Sequence, residues 1–197
     1  MLQIGAEIFG IEDESADIEV IDAMLTALRL SNAKDLTLSL GHVGIYRALI
    51  EEQGIQGPIE QSLRDVLLRK STPDLQDLSA QIDIQPFEKL LGLAGSVKTV
   101  EEAQAVFESN QAIAESLAQL NNVVGHLSAD ADLNLHIDLA DVLGYRYHTG
   151  LTFNAFVAGR GRTVAQGGRY DRIGKQFGRA RPATGFSADL KTLVKLG

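Results

Sequence analysis

The side-chain period changes repeatedly along this chain, and those changes restrict its fold more than any other feature. From Leu2 to Phe9 the residues alternate. Leu2, Ile4, Ala6 and Ile8 fall on one side, and Gln3, Gly5, Glu7 and Phe9 on the other. That is a half-buried strand, ending at Gly10. A 3.6-residue period follows over Ala16–Leu30, with Ser15 as N-cap, Asp17 and Glu19 in the first turns, and a stripe of Ile18, Ile21, Leu25 and Leu28. Leu36–Leu40 alternates again. From Ile45 to Asn122 the period is helical throughout, with Pro58, Pro73 and Pro86 at first helical positions. Short helices are expected around Ile59–Leu67 and Phe87–Leu91, the second stopped by Gly92. The longest is expected over Val100–Leu120, opened by the capping box Thr99 and Glu102. These stripes read as core, with a partner helix as the alternative occupant.

Alternation resumes over Leu133–Leu139, placing Asn134, His136 and Asp138 on one face. A strand pair is expected over Tyr145–Val157 and Thr163–Gln166, around the loop Ala158–Arg162. Gly167 and Gly168 then break the chain, Arg169–Phe177 reads as a short helix, Ala183–Phe186 as a strand and Asp189–Leu196 as a closing helix. No βαβ rhythm is sustained. The class is therefore α+β, an antiparallel sheet flanked by helices. Residues 1–44 form the first part of a core, 45–128 a helical insertion and 129–197 the second part.

Charge and composition exclude several functions. No apolar run reaches the roughly 20 residues of a membrane helix, and the N-terminus has no basic signal region. The chain has no cysteine, so it has no disulfide framework, and a cytoplasmic address follows. His42, His126, His136 and His148 show no metal-ligand spacing, so no metal is expected. The net charge is −8, yet Arg160 to Arg181 carries +6 in 22 residues. Such a chain is not a general nucleic-acid binder. Its basic segment is either one local anion site or a solvated loop.

The polar faces of the strands bring Gln3 and Glu7 together with His136, Asp138 and the polar residues of Tyr147–Asn154. These residues either face water or bind something. Gln3 and Glu7 lie roughly 13 Å apart along the strand. They offer an amide and a carboxylate, which suit an amino acid bearing an ammonium and a ring N–H. In Gln166-Gly-Gly-Arg-Tyr-Asp171 the glycines allow close backbone approach, an arginine can hold an anion bidentately, and a tyrosine supplies a wall. The alternative is a glycine turn before a helix.

These segments resemble the catalytic core of class II aminoacyl-tRNA synthetases, specifically the histidyl family. Gln3-Ile-Gly-Ala-Glu7-Ile-Phe-Gly10 is similar to the end of motif 2. Tyr147-His-Thr-Gly150 with Phe153 is similar to the first histidine-binding segment, Gly167-Gly-Arg-Tyr-Asp171 to the second, and Thr184-Gly-Phe186 to the opening of motif 3. The helical block stands where the synthetase has its insertion. The departures are Leu143 in place of an arginine that helps form the adenylate, Arg146 in place of an acidic residue, His148 in place of the second tyrosine, and Thr192 in place of the motif 3 arginine. Losing two such cations removes the electrostatic stabilisation that adenylation needs.

An amino-acid pocket without that machinery resembles the family of ATP phosphoribosyltransferase regulatory subunits, to which Arg179–Leu190 is more similar. The resemblance implies a non-catalytic subunit with no cofactor, required for activity and histidine feedback in the first step of histidine biosynthesis. It implies a short-form catalytic subunit as partner, L-histidine as effector and self-association. The histidine-binding candidates are Gln3, Glu7, Tyr147, His148, Gly168, Arg169 and Tyr170. The partner or anion contacts are Arg160, Arg162, Arg179 and Arg181. The rival readings are a synthetase core fragment and a scaffold for the catalytic subunit. Nothing resembles motif 1, so the chain reads as a fragment cut at both ends.

Overall fold

The structure, a computed structural model, describes residues 2–171 and 180–195. Its elements are β1 (Gln3–Phe9), α1 (Ser15–Leu30), β2 (Leu36–His42), α2 (Val43–Glu52), α3 (Pro58–Arg69), α4 (Thr72–Gln76), α5 (Gln85–Gly92), β3 (Ala94–Gly95), α6 (Thr99–Val106), α7 (Gln111–Leu127), β4 (Leu133–Asp138), β5 (Leu151–Val157), β6 (Ala165–Arg169), β7 (Ala183–Asp189) and α8 (Leu190–Val194). Seven strands form one sheet in the order β1-β7-β6-β5-β2-β4-β3. Every pair is antiparallel except β2 with β4. That exception follows from the helical block, because a parallel neighbour needs a long crossover and residues 43–132 supply it.

The alternation read from the strands becomes two unlike sheet faces. Leu36, Leu38, Leu40, Phe153, Ala155 and Ala188 turn one way and are buried with α1 and α7 in a single core. Helix α1 contributes Val20, Ile21, Met24, Leu25 and Leu28 to it, and α7 contributes Ile113, Leu117, Leu120 and Val124. The register puts polar residues on the other face. Gly5, Ser187, Gln166, Asn154, Ser39 and His136 lie in one row across six strands. Glu7, His136 and Asn154 thus share a face, as expected. Strand β1 is an edge strand and largely exposed.

Several local expectations give way to competing interactions. Ser15 is the first helical residue and not the cap; its hydroxyl turns back to the Asp13 carboxylate. The capping box at Thr99 does not form, since Lys98 holds the cap position without a side-chain bond and Thr99 is buried. The long helix is two helices. Asn110 accepts from the Ile113 amide at 3.1 Å and starts α7 afresh. Tyr145–Gly150 is a turn rather than strand, because the amides of Tyr147 and His148 both return to the Gly144 carbonyl. Gly167 and Gly168 continue β6, where ladders to β5 and β7 hold them despite their poor strand propensity. Arg169 therefore ends a strand. Tyr170 and Asp171 are not helical, and the rest of the expected helix, at 172–177, lies outside the described residues.

His42 joins sheet to helix. Its Nδ1 accepts from the Gly44 amide at 3.2 Å, capping α2, and its Nε2 donates to Gln119 Oε1 of α7 at 3.0 Å. Burial lowers its pKa to about 4. The unfolded chain protonates this ring near pH 6.5, whereas the folded chain resists until about pH 4. Stability at this site is full above pH 6.5 and falls as pH drops to 4, by on the order of 3 kcal/mol. Urea midpoints of the protein and of His42→Asn, which can still cap, should diverge at pH 7 and converge toward pH 4.

Candidate functional site

The cavity rests on the polar sheet face. Across it Glu7 lies opposite Gly185, Gly185 opposite Gly168, Gly168 opposite Thr152 and Thr152 opposite Gly41. Two of these glycines make the floor. A Cβ on Gly185 would stand 2.7 Å from Glu7 Cγ, and one on Gly168 would stand 2.9 Å from the His148 ring. Side chains from neighbouring strands and from the loop above lie down into the space left. The loop 141–150 borders this floor and walls a half-open cavity of about 260 Å³. That is below the ~300–1,000 Å³ of drug-sized sites and suits an amino-acid-sized ligand.

Tyr147, His148 and Tyr170 form the walls. The Tyr147 and Tyr170 rings are 4.9 Å apart, and the Tyr147 and His148 rings meet edge-on at 5.5 Å. Thr152 Oγ1 is buried without a hydrogen-bond partner, the buried Tyr170 hydroxyl faces the Glu7 carboxylate and the buried His148 ring the Leu143 backbone, and all three residues line this cavity. A buried polar atom left unpaired is rare, and a bound ligand can satisfy one. Among the described lining residues Glu7 is the one charged group. Burial, then the nearby Glu7 carboxylate, holds the Tyr170 phenol well above its ordinary pKa, and the same two causes raise Tyr147. Burial lowers the pKa of His148. The two phenols and the imidazole are thereby kept neutral beside the Glu7 side chain, an arrangement that favours a cation or N–H donor. Behind the wall Asp141 accepts from Leu143 N at 3.0 Å and from Asn154 Nδ2 at 2.9 Å, fixing that amide.

The expected residues divide. Glu7, Tyr147, His148 and Tyr170 meet at the cavity, with Gly168 beneath. Gln3 lines the adjoining cavity, where Gln166 and Ser187 border both. Arg169 is buried on the opposite sheet face. Its Nε donates to Asp17 Oδ2 at 2.9 Å, Nη2 to the Asp13 carbonyl at 2.7 Å and Nη1 to the Ile11 carbonyl at 3.1 Å. Its own carbonyl accepts from Thr149 N at 2.7 Å, and Thr149 Oγ1 donates to Asp171 Oδ2 at 2.8 Å, pinning the loop to β6. Arg160 and Arg162 bond to Lys195 O and Thr192 Oγ1 and tie the β5–β6 hairpin to α8. Arg181 is exposed, and Arg179 lies outside the described residues. Leu143 stands at the cavity mouth. Thr192 is buried and bonds to Asp189 at 3.1 Å.

Sequence reading missed Asp17 and Arg47. Asp17 looked like a dipole-stabilising first-turn acid but is the buried partner of Arg169. Arg47 donates to the carbonyls of Tyr145 and His148 at 2.5 and 2.7 Å. A lone cation within the apolar run Val43–Ile50 was the signal available for it. Among the described residues no three His, Asp or Glu side chains converge to hold a metal. No described helix is long and apolar enough to cross a membrane.

A family model described as histidyl-tRNA synthetase matches residues 1–193. The ATP phosphoribosyltransferase regulatory subunit of Stutzerimonas stutzeri is 45% identical over 201 residues, covering 100% of this chain and 51% of its own. That of Pseudomonas putida F1 is 44% identical over 203 residues, with the same coverage of 100% and 51%. The chain thus spans about half the length of the curated relatives it matches. A solved ATP phosphoribosyltransferase regulatory subunit/histidyl-tRNA synthetase from Bacillus halodurans superposes with a TM-score of 0.84 at 28% identity, covering 98% of this chain and 52% of that one. A histidyl-tRNA synthetase from Nostoc has a TM-score of 0.76 at 17% identity, covering 98% and 49%, and speaks for the fold alone.

Breaking the Arg169 pair leaves Asp17 buried without its counter-charge and the Ile11 and Asp13 carbonyls without their donor. Arg169→Met should cost about 3–5 kcal/mol in urea denaturation, and adding Asp17→Leu should restore most of it.

Proposed function

Since this chain belongs to the histidyl-tRNA synthetase family, we propose that it is the synthetase-like part of a non-catalytic regulatory subunit of ATP phosphoribosyltransferase. In this reading the cavity takes L-histidine, the effector of the first step of histidine biosynthesis. The relatives so named, at 44% and 45% identity across the chain, support it. One feature of the cavity carries it. Glu7, the unpaired Thr152 hydroxyl and the Tyr147, His148 and Tyr170 side chains remain for an amino acid, while by the resemblance to the synthetase Leu143, at the cavity, and Thr192, outside it on α8, stand in the places of the two adenylation cations. Neither side chain can neutralise a triphosphate, so the charge that develops during adenylation has no counter-charge there.

The histidine imidazole donates to Glu7, with Tyr147, His148 and Tyr170 as walls and Gly168 beneath. Its charged groups extend past Gln166 and Ser187 toward Gln3. Arg169 acts indirectly, by holding β6 to the loop before α1. The partner is a short-form catalytic subunit. Arg181 and Arg179 are the proposed contacts, since Arg160 and Arg162 are engaged by α8. The division at 1–44, 45–128 and 129–197 and the self-association of the whole protein belong to the same proposal. Histidine acts on the partner only through its different affinity for the two states of the complex.

Calorimetry should detect L-histidine binding. Glu7→Gln should weaken it roughly 10–100-fold, the loss of a charge-assisted bond, and Tyr170→Phe roughly 5-fold. ATP–pyrophosphate exchange should stay at background, and histidine should inhibit the complex with the short catalytic subunit. Exchange above background would restore the synthetase reading. Activation of the catalytic subunit without a histidine response would favour the scaffold.

A further inference from the structure

The loop 141–150 separates two cavities. Leu143, Gly144, Tyr147 and His148 line the one over the sheet. Val142, Gly144, Tyr145 and Arg146 line another of about 200 Å³, against Arg64 and Leu68 of α3. The Tyr147 and His148 amides return to Gly144 O at 2.7 and 2.8 Å, closing a tight turn. The carbonyls of Tyr145 and His148 point outward and are met from the helical layer. Arg47 Nη2, on α2, donates to both, at 2.5 and 2.7 Å. The guanidinium also lies 5.5 Å over the Tyr145 ring, which meets Tyr46 of α2 edge-on at 5.1 Å. One cationic donor shared by carbonyls three residues apart sets the curvature of the segment that carries Tyr147 and His148. A side chain without a donor leaves both carbonyls unmatched.

We infer that Arg47 is a positioning residue for the cavity: it grips the Tyr145–His148 turn from α2 and so holds the Tyr147 and His148 wall in its ligand-ready place. The consequence for affinity rests on the reading of the cavity as the histidine site; the grip on the turn does not. Arg47 is not itself a lining residue and acts on the wall through the Tyr145 and His148 carbonyls. The same linkage joins α2 to the wall from one side, while the Thr149 bonds pin the loop to β6 from the other.

Amide hydrogen exchange without ligand and calorimetry with L-histidine separate the two. They are to be run on the protein, on Arg47→Met and on Arg47→Lys. In Arg47→Met the Tyr147 and His148 amides should exchange about 10-fold faster and the Kd for L-histidine should rise about 10-fold, while amides of β2 and α1 keep their protection. Arg47→Lys keeps a cation but not the fork, so it should fall between; if the methionine variant fails to fold, the lysine variant carries the measurement. Unchanged exchange at Tyr147 and His148 overturns the proposal. Acceleration spread evenly through the core also overturns it, since Arg47 is then a packing residue only. Faster exchange with unchanged affinity overturns the role in binding. If the unmodified protein binds no L-histidine, the functional reading fails, and the exchange measurement still decides the grip.

Discussion

Arg169 is buried because its neighbours are needed elsewhere. Along β6 and the residue after it, side chains alternate between sheet faces, and Gly168 and Tyr170 belong to the cavity. Arg169 must then point toward the helices, where an unpaired guanidinium would be prohibitive. Asp17 at the start of α1 and two carbonyls of the preceding loop meet it. Burial raises the pKa of Asp17, opposed by the adjoining Thr184 hydroxyl and by the guanidinium. The pair links the β1–α1 loop to β6. Through Thr149 and Asp171 the same stretch of β6 also holds the loop that roofs the cavity. Floor, roof and helical layer thus share one anchoring point.

The cavity owes its form to what is missing from side chains as much as to what is present. Without Cβ atoms, Gly168 and Gly185 let His148, Glu7 and Tyr170 lie against the backbone. The carboxylate of Glu7 then sits beside two phenols that burial keeps protonated. Such a group of donors and one anion favours an imidazole or ammonium. The mouth carries Leu143, and Thr192 is absorbed into the packing of α8 against the β5–β6 hairpin. In the proposed function, recognition without activation is physically coherent because the two would reside on different residues.

Strand and helix identities were legible wherever one side of an element meets the core. The alternation at Leu2–Phe9, Leu36–Leu40 and Leu133–Leu139 yields β1, β2 and β4 with the expected faces. The stripe of Ile21, Leu25 and Leu28 is buried as read. Boundaries were less legible where two local bonding schemes compete, as at Ser15, Thr99 and Asn110. The glycine pair was misread because single-chain propensity takes no account of two flanking strands. Of the site, Glu7 and Tyr170 were legible from side-chain type, and Tyr147 and His148 from the resemblance to the synthetase's first histidine-binding segment. Thr152 was less so, since nothing local sets a threonine apart in a strand that also carries Phe153 and Ala155.

Sequence alone determined the type of those elements that set one face on the core, which faces are apolar, and that Glu7 and Tyr170 offer groups of a kind that suits an amino acid. These follow from periodicity and from side-chain type, which are local properties. Tertiary structure decided that Arg169 and Asp17 neutralise each other, that Arg47 holds the roof, and that β2 and β4 run parallel. Each of those depends on residues more than 90 positions apart meeting in space, and no local pattern encodes which distant partner a buried charge will find.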